Sequence, residues 1–411
     1  IDLNHVLSTL RGPCYLPYLG RFNCLLTILN TGFCYHRLFS SITKRGVILV
    51  QGVLVISNMY PSRKGKSFGS FVKVHVDAFR RHTSIKQFVV ANTDQRKGLP
   101  VLIRKYGSLL LRSLWYSIRK PFDVIHAHYL FPTGFIGLLC HWISGKPLVV
   151  TVHGSDVNKL ARKNSLLSKI SGFILRRTSA VIAVSRDLGE KVVNEFGVDR
   201  GKVHVINMGV DTDIFMPLDR DECRERLGLP LKGRVVLFVG NIIPSKGVYY
   251  LIESLKDLEL DDVKCIILGA PVDEEYLRTL RGLAESMDSD VEFFGPVPYT
   301  EVPTWMNAAD VFVLPSLEEG FGLVALEALA CGTPVIATAT GGIMEFVRDS
   351  ETGYTVPPGD SRAIADRIKR ILDPENRAEV ESMRERGMRL AESFSTIKQI
   401  EKVLEVYRQV S

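Results

Sequence analysis

None of the seven cysteines stands in a CxxC pair, and several lie inside strongly apolar runs. That pattern excludes a zinc ribbon or a redox dithiol and points to structural thiols in a reduced, cytosolic setting. The even spacing of Cys14, Cys24 and Cys34 is read as accidental rather than as a metal site. No window holds eighteen uninterrupted apolar residues, so no membrane-spanning helix is expected. The N-terminal apolar stretches are broken by Pro, Asn, Gly and Arg, so no signal peptide is expected either. A large charge of one sign is also missing. The formal net charge is +7, and residues 1–46 supply +4 of it through Arg11, Arg21, Arg37, Lys44 and Arg45 against Asp2. The remainder is too nearly neutral to argue for nucleic acid as a partner.

What is present describes an ordinary globular chain of 411 residues, 46% apolar, longer than one hydrophobic core usually spans. Residues 1–46 show neither steady alternation nor a helical period. They are expected to be an N-terminal extension, poorly ordered or foreign to the native protein. From Val47 onward short apolar runs alternate with longer amphipathic segments. The runs are GVLVISN (52–58), IKQFVVAN (85–92), DVIHAH (123–128), PLVVTVH (147–153), AVIAVS (180–185) and KVHVIN (202–207). They read as parallel strands buried on both faces, with helices between them. Turn-forming residues at Gly209–Pro217 break the rhythm.

A second series follows: RVVLFVG (234–240), VKCIILG (263–269), VEFFG (291–295), DVFVLP (310–315), TPVIAT (333–338) and GYTVP (353–357). The economical architecture is α/β, two doubly wound Rossmann-like domains facing each other across a cleft lined by strand-end loops. The expected boundaries are 47–214 for the first domain and 215–392 for the second. A C-terminal helix in 393–411 is expected to pack back on the first.

The stretch from Pro315 to Pro334, PSLEEGFGLVALEALACGTP, carries the most chemistry. A strand ends at Pro315, a loop holds Gly320 and Gly322, and a helix begins at Leu323. Glycines at a helix mouth let backbone N–H groups approach an anion that the helix dipole favours. Glu319 lies just before that mouth and Glu327 inside the helix, about 12 Å apart at a rise of roughly 1.5 Å per residue. This matches the span of a sugar diphosphate plus ribose. Taken alone, such a pair is more commonly one dipole-complementing and one solvated glutamate. The Gly-Phe-Gly context and the flanking strands favour the binding reading. In Phe238–Gly247 another strand ends in Gly240, and Lys246 is placed to reach a diphosphate leaving group as a point charge.

These passages resemble glycosyltransferase family 4, the large retaining family with the GT-B fold, from about residue 52 to 400. Its E-x7-E signature is matched by Glu319 and Glu327, and its diphosphate lysine by Lys246. Asn241 stands where the family often has arginine. The resemblance implies donor contacts at Phe321, Gly322, Leu323, Gly341 and Gly342, with base contacts near Val297. Ser57–Pro61 through Ser67–Gly69 resembles the first glycine loop, whose double glycine is not intact, so Gly69 is carried over. Thr151-Val-His-Gly-Ser-Asp156 resembles the strand-end histidine motif. It implies His153 near the transferred sugar and Ser155 or Asp156 near the acceptor. The implied reaction is front-face substitution from a UDP- or GDP-sugar to a glycan or lipid-linked acceptor. No metal or resident cofactor takes part, and the departing phosphate receives the acceptor proton. His153, Lys246 and Glu319 are the expected catalytic residues.

Other motifs are weighed and set aside. Gly65-Lys66-Ser67 lacks a P-loop because residue 60 is Tyr60. Asp211-Thr-Asp213 and Asp288-Ser-Asp290 have the DxD form but sit in a linker and a polar loop. His126 and His128 share a strand face with no third ligand near in sequence, and read as strand-end residues lining the cleft. Two acid-free stripes, Leu102–Lys120 and Lys159–Thr178, suit weak contact with an anionic membrane on its inner face. Helices docked on their own domain, with snorkelling basic side chains, explain them as well. A nucleotide-sugar epimerase or a non-catalytic nucleotide-sugar binder remain the rival functions.

Overall fold

The structure, a computed structural model, describes residues 50–62, 69–94, 96, 98–161, 166–260 and 262–411. The expectations on residues 1–46, on Gly65–Ser67 and on most of the first glycine loop lie outside these residues. Val50–Ser411 forms one compact unit. Each of the twelve apolar runs is a strand. The first six are β1 (Gly52–Ser57), β2 (Lys86–Ala91), β3 (Val124–His128), β4 (Leu148–Val152), β5 (Ala180–Ala183) and β6 (Val203–Val205). The second six are β7 (Arg234–Val239), β8 (Val263–Leu268), β9 (Val291–Phe294), β10 (Val311–Leu314), β11 (Val335–Thr338) and β12 (Tyr354–Val356).

All neighbours pair parallel, in the orders β2-β1-β3-β4-β5-β6 and β12-β11-β10-β7-β8-β9. Central strands β1, β3, β4, β10 and β11 are buried along their whole length, which explains their continuous apolar runs. The strand order reverses between β1 and β3 in the first lobe and between β7 and β10 in the second. At those two points the loops diverge and leave a crevice.

One face of the first sheet is covered by helices 99–119, 135–144 and 166–177 through Leu109, Ile136, Leu138, Ile174 and Leu175. The other face holds Val53, Val55, Val124, Val149 and Ile182 in a cluster with Val76 and Phe79 of helix Ser70–His82. The same cluster takes in Ile400, Val403, Leu404 and Tyr407 of the last helix, Thr396–Val410. The chain therefore crosses between lobes twice, and the two crossings are zipped together. Val210 N donates to Phe394 O and Thr396 N to Val210 O, both at 2.9 Å. Asp211 of the first crossing is buried and receives Arg81 at 2.5 Å, while Asp290 pairs with Lys264 at 3.3 Å. Both DxD sequences are thus engaged in ion pairs. Cys140, Cys223, Cys265 and Cys331 are buried free thiols.

Candidate active site

The loops after β7 and β10 meet at the reversal point of the second sheet. The first runs from Gly240 through a short turn, Pro244–Lys246, to Gly247, which opens helix Val248–Ser254. Gly247 adopts φ 67°, and a Cβ there would overlap the carbonyl oxygen of Pro315. Only glycine permits the two loops to come this close. Leu317 N donates to Ser245 O at 2.9 Å, fastening them further. As a result Lys246 Nζ lies 2.5 Å from Glu319 Oε2, across 73 residues of sequence. Ser316 Oγ also donates to Glu319 Oε2 at 3.2 Å, and Gly320 N to Glu319 Oε1 at 3.3 Å. Asn241 is exposed at the rim of the same loop.

Gly322 is the N-cap of helix Leu323–Ala330, whose first turn carries no acid and no side-chain cap. The leading N–H groups of a helix have no acceptor within it, so this mouth favours an anion. Gly341 and Gly342 back the turn from behind: Gly342 N donates to Gly320 O at 3.1 Å. Phe321 turns its ring into the core against Phe346, 5.1 Å between centroids, so only its backbone faces the turn. Glu327 is buried, against the solvated alternative, and Tyr299 Oη donates to its Oε1 at 2.9 Å. Burial pushes its carboxyl up to about 8, with the Tyr299 bond acting against that rise. Val297 lies partly buried on the loop between β9 and Tyr299, at the carboxyl end of the sheet.

The first lobe answers from across the cleft. A Cβ on Gly320 would overlap the carbonyl oxygen of His153, and Gly154 Cα lies 3.2 Å from that Cβ position. The His153–Gly154 turn therefore sits backbone to backbone on the Glu319–Gly320 turn. Glu345 links the lobes again, accepting Arg186 N at 2.7 Å and Asn207 Nδ2 at 2.9 Å. The ring of His153 packs 4.8 Å from both Phe71 and Tyr129. Its Nε2 is 3.2 Å from His128 Nδ1. Burial, followed by the neighbouring His75, lowers the His153 pKa to about 3, so the ring is neutral. Gly69 caps helix Ser70–His82 and rests on the backbone of Met59.

One expectation is corrected here, that His126 and His128 line the cleft. Asp156, expected beside the acceptor, is buried with its carboxylate committed to backbone. It accepts from Leu130 N, His153 N, Gly154 N and Val157 N at 3.0–3.2 Å. It holds the histidine turn, whereas Ser155, the first residue of its helix, is exposed. His126 and His128, expected to line the cleft, are buried beneath His153. His126 bonds Tyr407 Oη through Nδ1 at 2.5 Å and Thr151 Oγ1 through Nε2 at 2.6 Å. The fold also brings up the neighbour that sequence lacked, His75 from helix Ser70–His82. One ligand atom from each of these three lies within 4.8 Å of the others. With both nitrogens of His126 spent, His75 Nε2 and His128 Nε2 are left without a hydrogen-bond partner among the described residues. Burial holds all three rings neutral.

Sequence reasoning missed Ser316, Tyr299, Glu345 and His75. Ser316 and Tyr299 each follow a strand in a short turn, and that position is the one signal that marks them. Glu345 and His75 carry none. The assembled geometry offers a cation, a carboxylate and a helix mouth on one wall, and a neutral imidazole on the other.

Known proteins resemble this chain along both lobes. The family description Glycosyltransferase Family 4 matches residues 71–214, and Glycosyl transferases group 1 matches residues 219–389. The D-inositol 3-phosphate glycosyltransferase of Acidothermus cellulolyticus is 34% identical over 302 residues, 69% of this chain and 66% of that protein. D-inositol 3-phosphate glycosyltransferase 1 of Catenulispora acidiphila is 32% identical over 336 residues, 76% of this chain and 77% of that protein. Among solved structures, Anabaena HepE in complex with UDP and glucose superposes with a TM-score of 0.71 at 21% identity, covering 87% of this chain and 99% of that one. The fold is GT-B.

Proposed function

Because the chain belongs to glycosyltransferase family 4, we propose that it moves a sugar, with retention, from a nucleoside diphosphate held by the second lobe to an acceptor held by the first. The observation that carries this reading is the meeting of Lys246 and Glu319 beside the mouth of helix Leu323–Ala330, directly under His153.

The donor diphosphate lies at that mouth. Its oxygens accept from the backbone N–H groups at Gly322 and Leu323 and from Lys246. A diphosphate carries more charge than one carboxylate and draws the ammonium, leaving the oxygens of Glu319 to accept from sugar hydroxyls. As the bond from the anomeric carbon to the diphosphate oxygen breaks, charge grows on the leaving group, where Lys246 and the helix stabilise it. The acceptor oxygen bonds the anomeric carbon from the same face and gives its proton to a departing phosphate oxygen. Neutral His153 hydrogen-bonds the sugar from above without competing for the diphosphate. Glu327, largely protonated at neutral pH, serves the ribose end, and the loop at Val297 the base. No metal or resident cofactor is needed, because fixed protein groups meet the diphosphate charge.

The donor is a UDP- or GDP-sugar and the acceptor a glycan or lipid-linked acceptor. The enzyme works in the cytoplasm, against the inner face of a membrane. The test is turnover with UDP- and GDP-sugars, followed by the anomeric configuration of the product, with EDTA present and absent. D-inositol 3-phosphate, named in the relatives, belongs in the acceptor panel. Retained configuration, an EDTA-insensitive rate and a drop of about a hundred- to a thousandfold in Lys246→Ala are expected. Epimerised donor without transfer, or binding without turnover for every donor, overturns the reading.

A further inference from the structure

The first lobe wears part of its apolar surface on the outside. In helix 99–119 the side facing the sheet carries Leu109, Ser113 and Ser117. The opposite side presents Leu111, Trp115 and Ile118, which are 69%, 53% and 68% exposed. Tyr106, Leu110 and Leu114 pack on the core beside Leu109, so the helix is apolar on both sides, where a surface helix of a globular protein normally turns charged and polar residues outward. Helix 166–177 buries Ser171, Gly172, Ile174 and Leu175 and likewise leaves Leu166 and Phe173 exposed. Between them, helix 135–144 packs against both neighbours and exposes Phe135, Trp142 and Ile143. Three adjacent helices on one face of the first sheet thus offer one outward apolar surface, of a kind that marks an interaction site.

Charge identifies the occupant. From Leu99 to Arg177 the sequence holds 12 Lys and Arg against two acids, Asp123 and Asp156. Neither acid offsets the surface: Asp156 is buried, and Asp123 accepts from Gln51 N and Gly52 N at the start of β1, so that of these cations Arg104 alone is seen paired with an acid among the described residues, Asp94 at 2.9 Å. Arg112, Arg119 and Lys169 flank the apolar side chains and pair with no acid among the described residues. Lys120 lies 5.7 Å above the ring of Trp115, and Arg177 5.3 Å from that of Phe173. Aromatic and aliphatic side chains rimmed by unpaired cations fit the boundary between acyl chains and anionic headgroups. A second copy of the same face would bring like charges together.

We propose that this face docks on an anionic lipid bilayer. The surface also leads to the site. From the exposed Phe135 and Phe131 the chain returns to Tyr129, whose ring touches His153. An acceptor anchored in lipid would reach the cleft along that path. This last link rests on the transferase reading, whereas the docking face does not.

The experiment uses the full chain and sedimentation with vesicles of phosphatidylcholine, alone or with roughly one third phosphatidylglycerol. Binding to the anionic vesicles, lost on neutral ones and weakened by salt, is expected. Arg112→Glu with Arg119→Glu should lower partitioning about tenfold or more, and Leu111→Ser with Trp115→Ser should lower it comparably. All four side chains are solvent-facing, so the unfolding temperature should hold. Failure to sediment with anionic vesicles at low salt overturns docking, as does binding by both variants that equals the parent's. A dimer that either variant dissolves overturns it too, by assigning the face to a second copy. Donor hydrolysis measured in the same samples without vesicles separates this failure from failure of the transferase reading.

Discussion

Glu327→Gln should make the protein more stable while weakening its hold on nucleotide. The carboxyl is buried and its pKa is raised from 4.5 to about 8, chiefly by desolvation. Below pH 4.5 it is protonated in the folded and unfolded chain alike and contributes no pH dependence. Between pH 4.5 and 8 the unfolded chain releases its proton and the folded chain keeps it. Stability therefore falls as pH rises through that window, by about 1.36 kcal/mol per pH unit. At pH 7 the accumulated cost is about 3 kcal/mol. A glutamine occupies the same volume, retains an acceptor for Tyr299 Oη and has no proton to lose. Denaturant unfolding of both proteins at pH 5, 6, 7 and 8 reads the effect, since every other titrating group cancels in the difference. The stability gap should grow by about 1 kcal/mol per pH unit up to pH 8 and then level off. Parallel curves would refute a neutral, buried Glu327. Calorimetric titration with UDP and GDP gives the other half: affinity should fall, because an amide that must serve Tyr299 accepts less well from ribose.

The histidine cluster should act with the opposite sign. His75 titrates near 4 because it is buried, so its stabilising effect is complete above pH 6.5 and is lost as pH falls from there towards 4. Between pH 7 and pH 5 the parent should lose about 2 kcal/mol more than His75→Gln in denaturant unfolding; equal losses would count against a neutral His75. Gly320→Ala should strain the contact between lobes, since the new methyl group overlaps His153 O. Destabilisation of about 1–3 kcal/mol by thermal unfolding, with a fall in donor turnover, is expected. An unchanged unfolding temperature would deny that the two turns touch.

The twelve strands were legible because parallel strands covered on both faces have to be apolar at every position, as β1, β4 and β11 are. The pairing of Lys246 with Glu319 was legible only through topology. Strands β7 and β10 become neighbours at the reversal point, so residues 73 positions apart end side by side. Elsewhere sequence named a residue but not its partners. Asp156 has the charge of a ligand, but four backbone N–H groups surround it, and backbone leaves no trace in the residue pattern. His75 looks like any helix residue until the sheet brings His126 and His128 beside it. The exposed stripe Leu111–Trp115–Ile118 has perfect helical spacing. Periodicity reports that a face is apolar, not whether protein covers it.

The central claim is that Lys246 and the Glu319 turn hold one diphosphate, and calorimetric titration of the parent and of Lys246→Ala with UDP and GDP tests it most directly. Loss of one charge-assisted contact should weaken binding of the preferred nucleotide by about ten- to a hundredfold. The corresponding nucleoside, which has no phosphate, should bind parent and variant equally. Undiminished affinity of Lys246→Ala for the diphosphate would contradict the account.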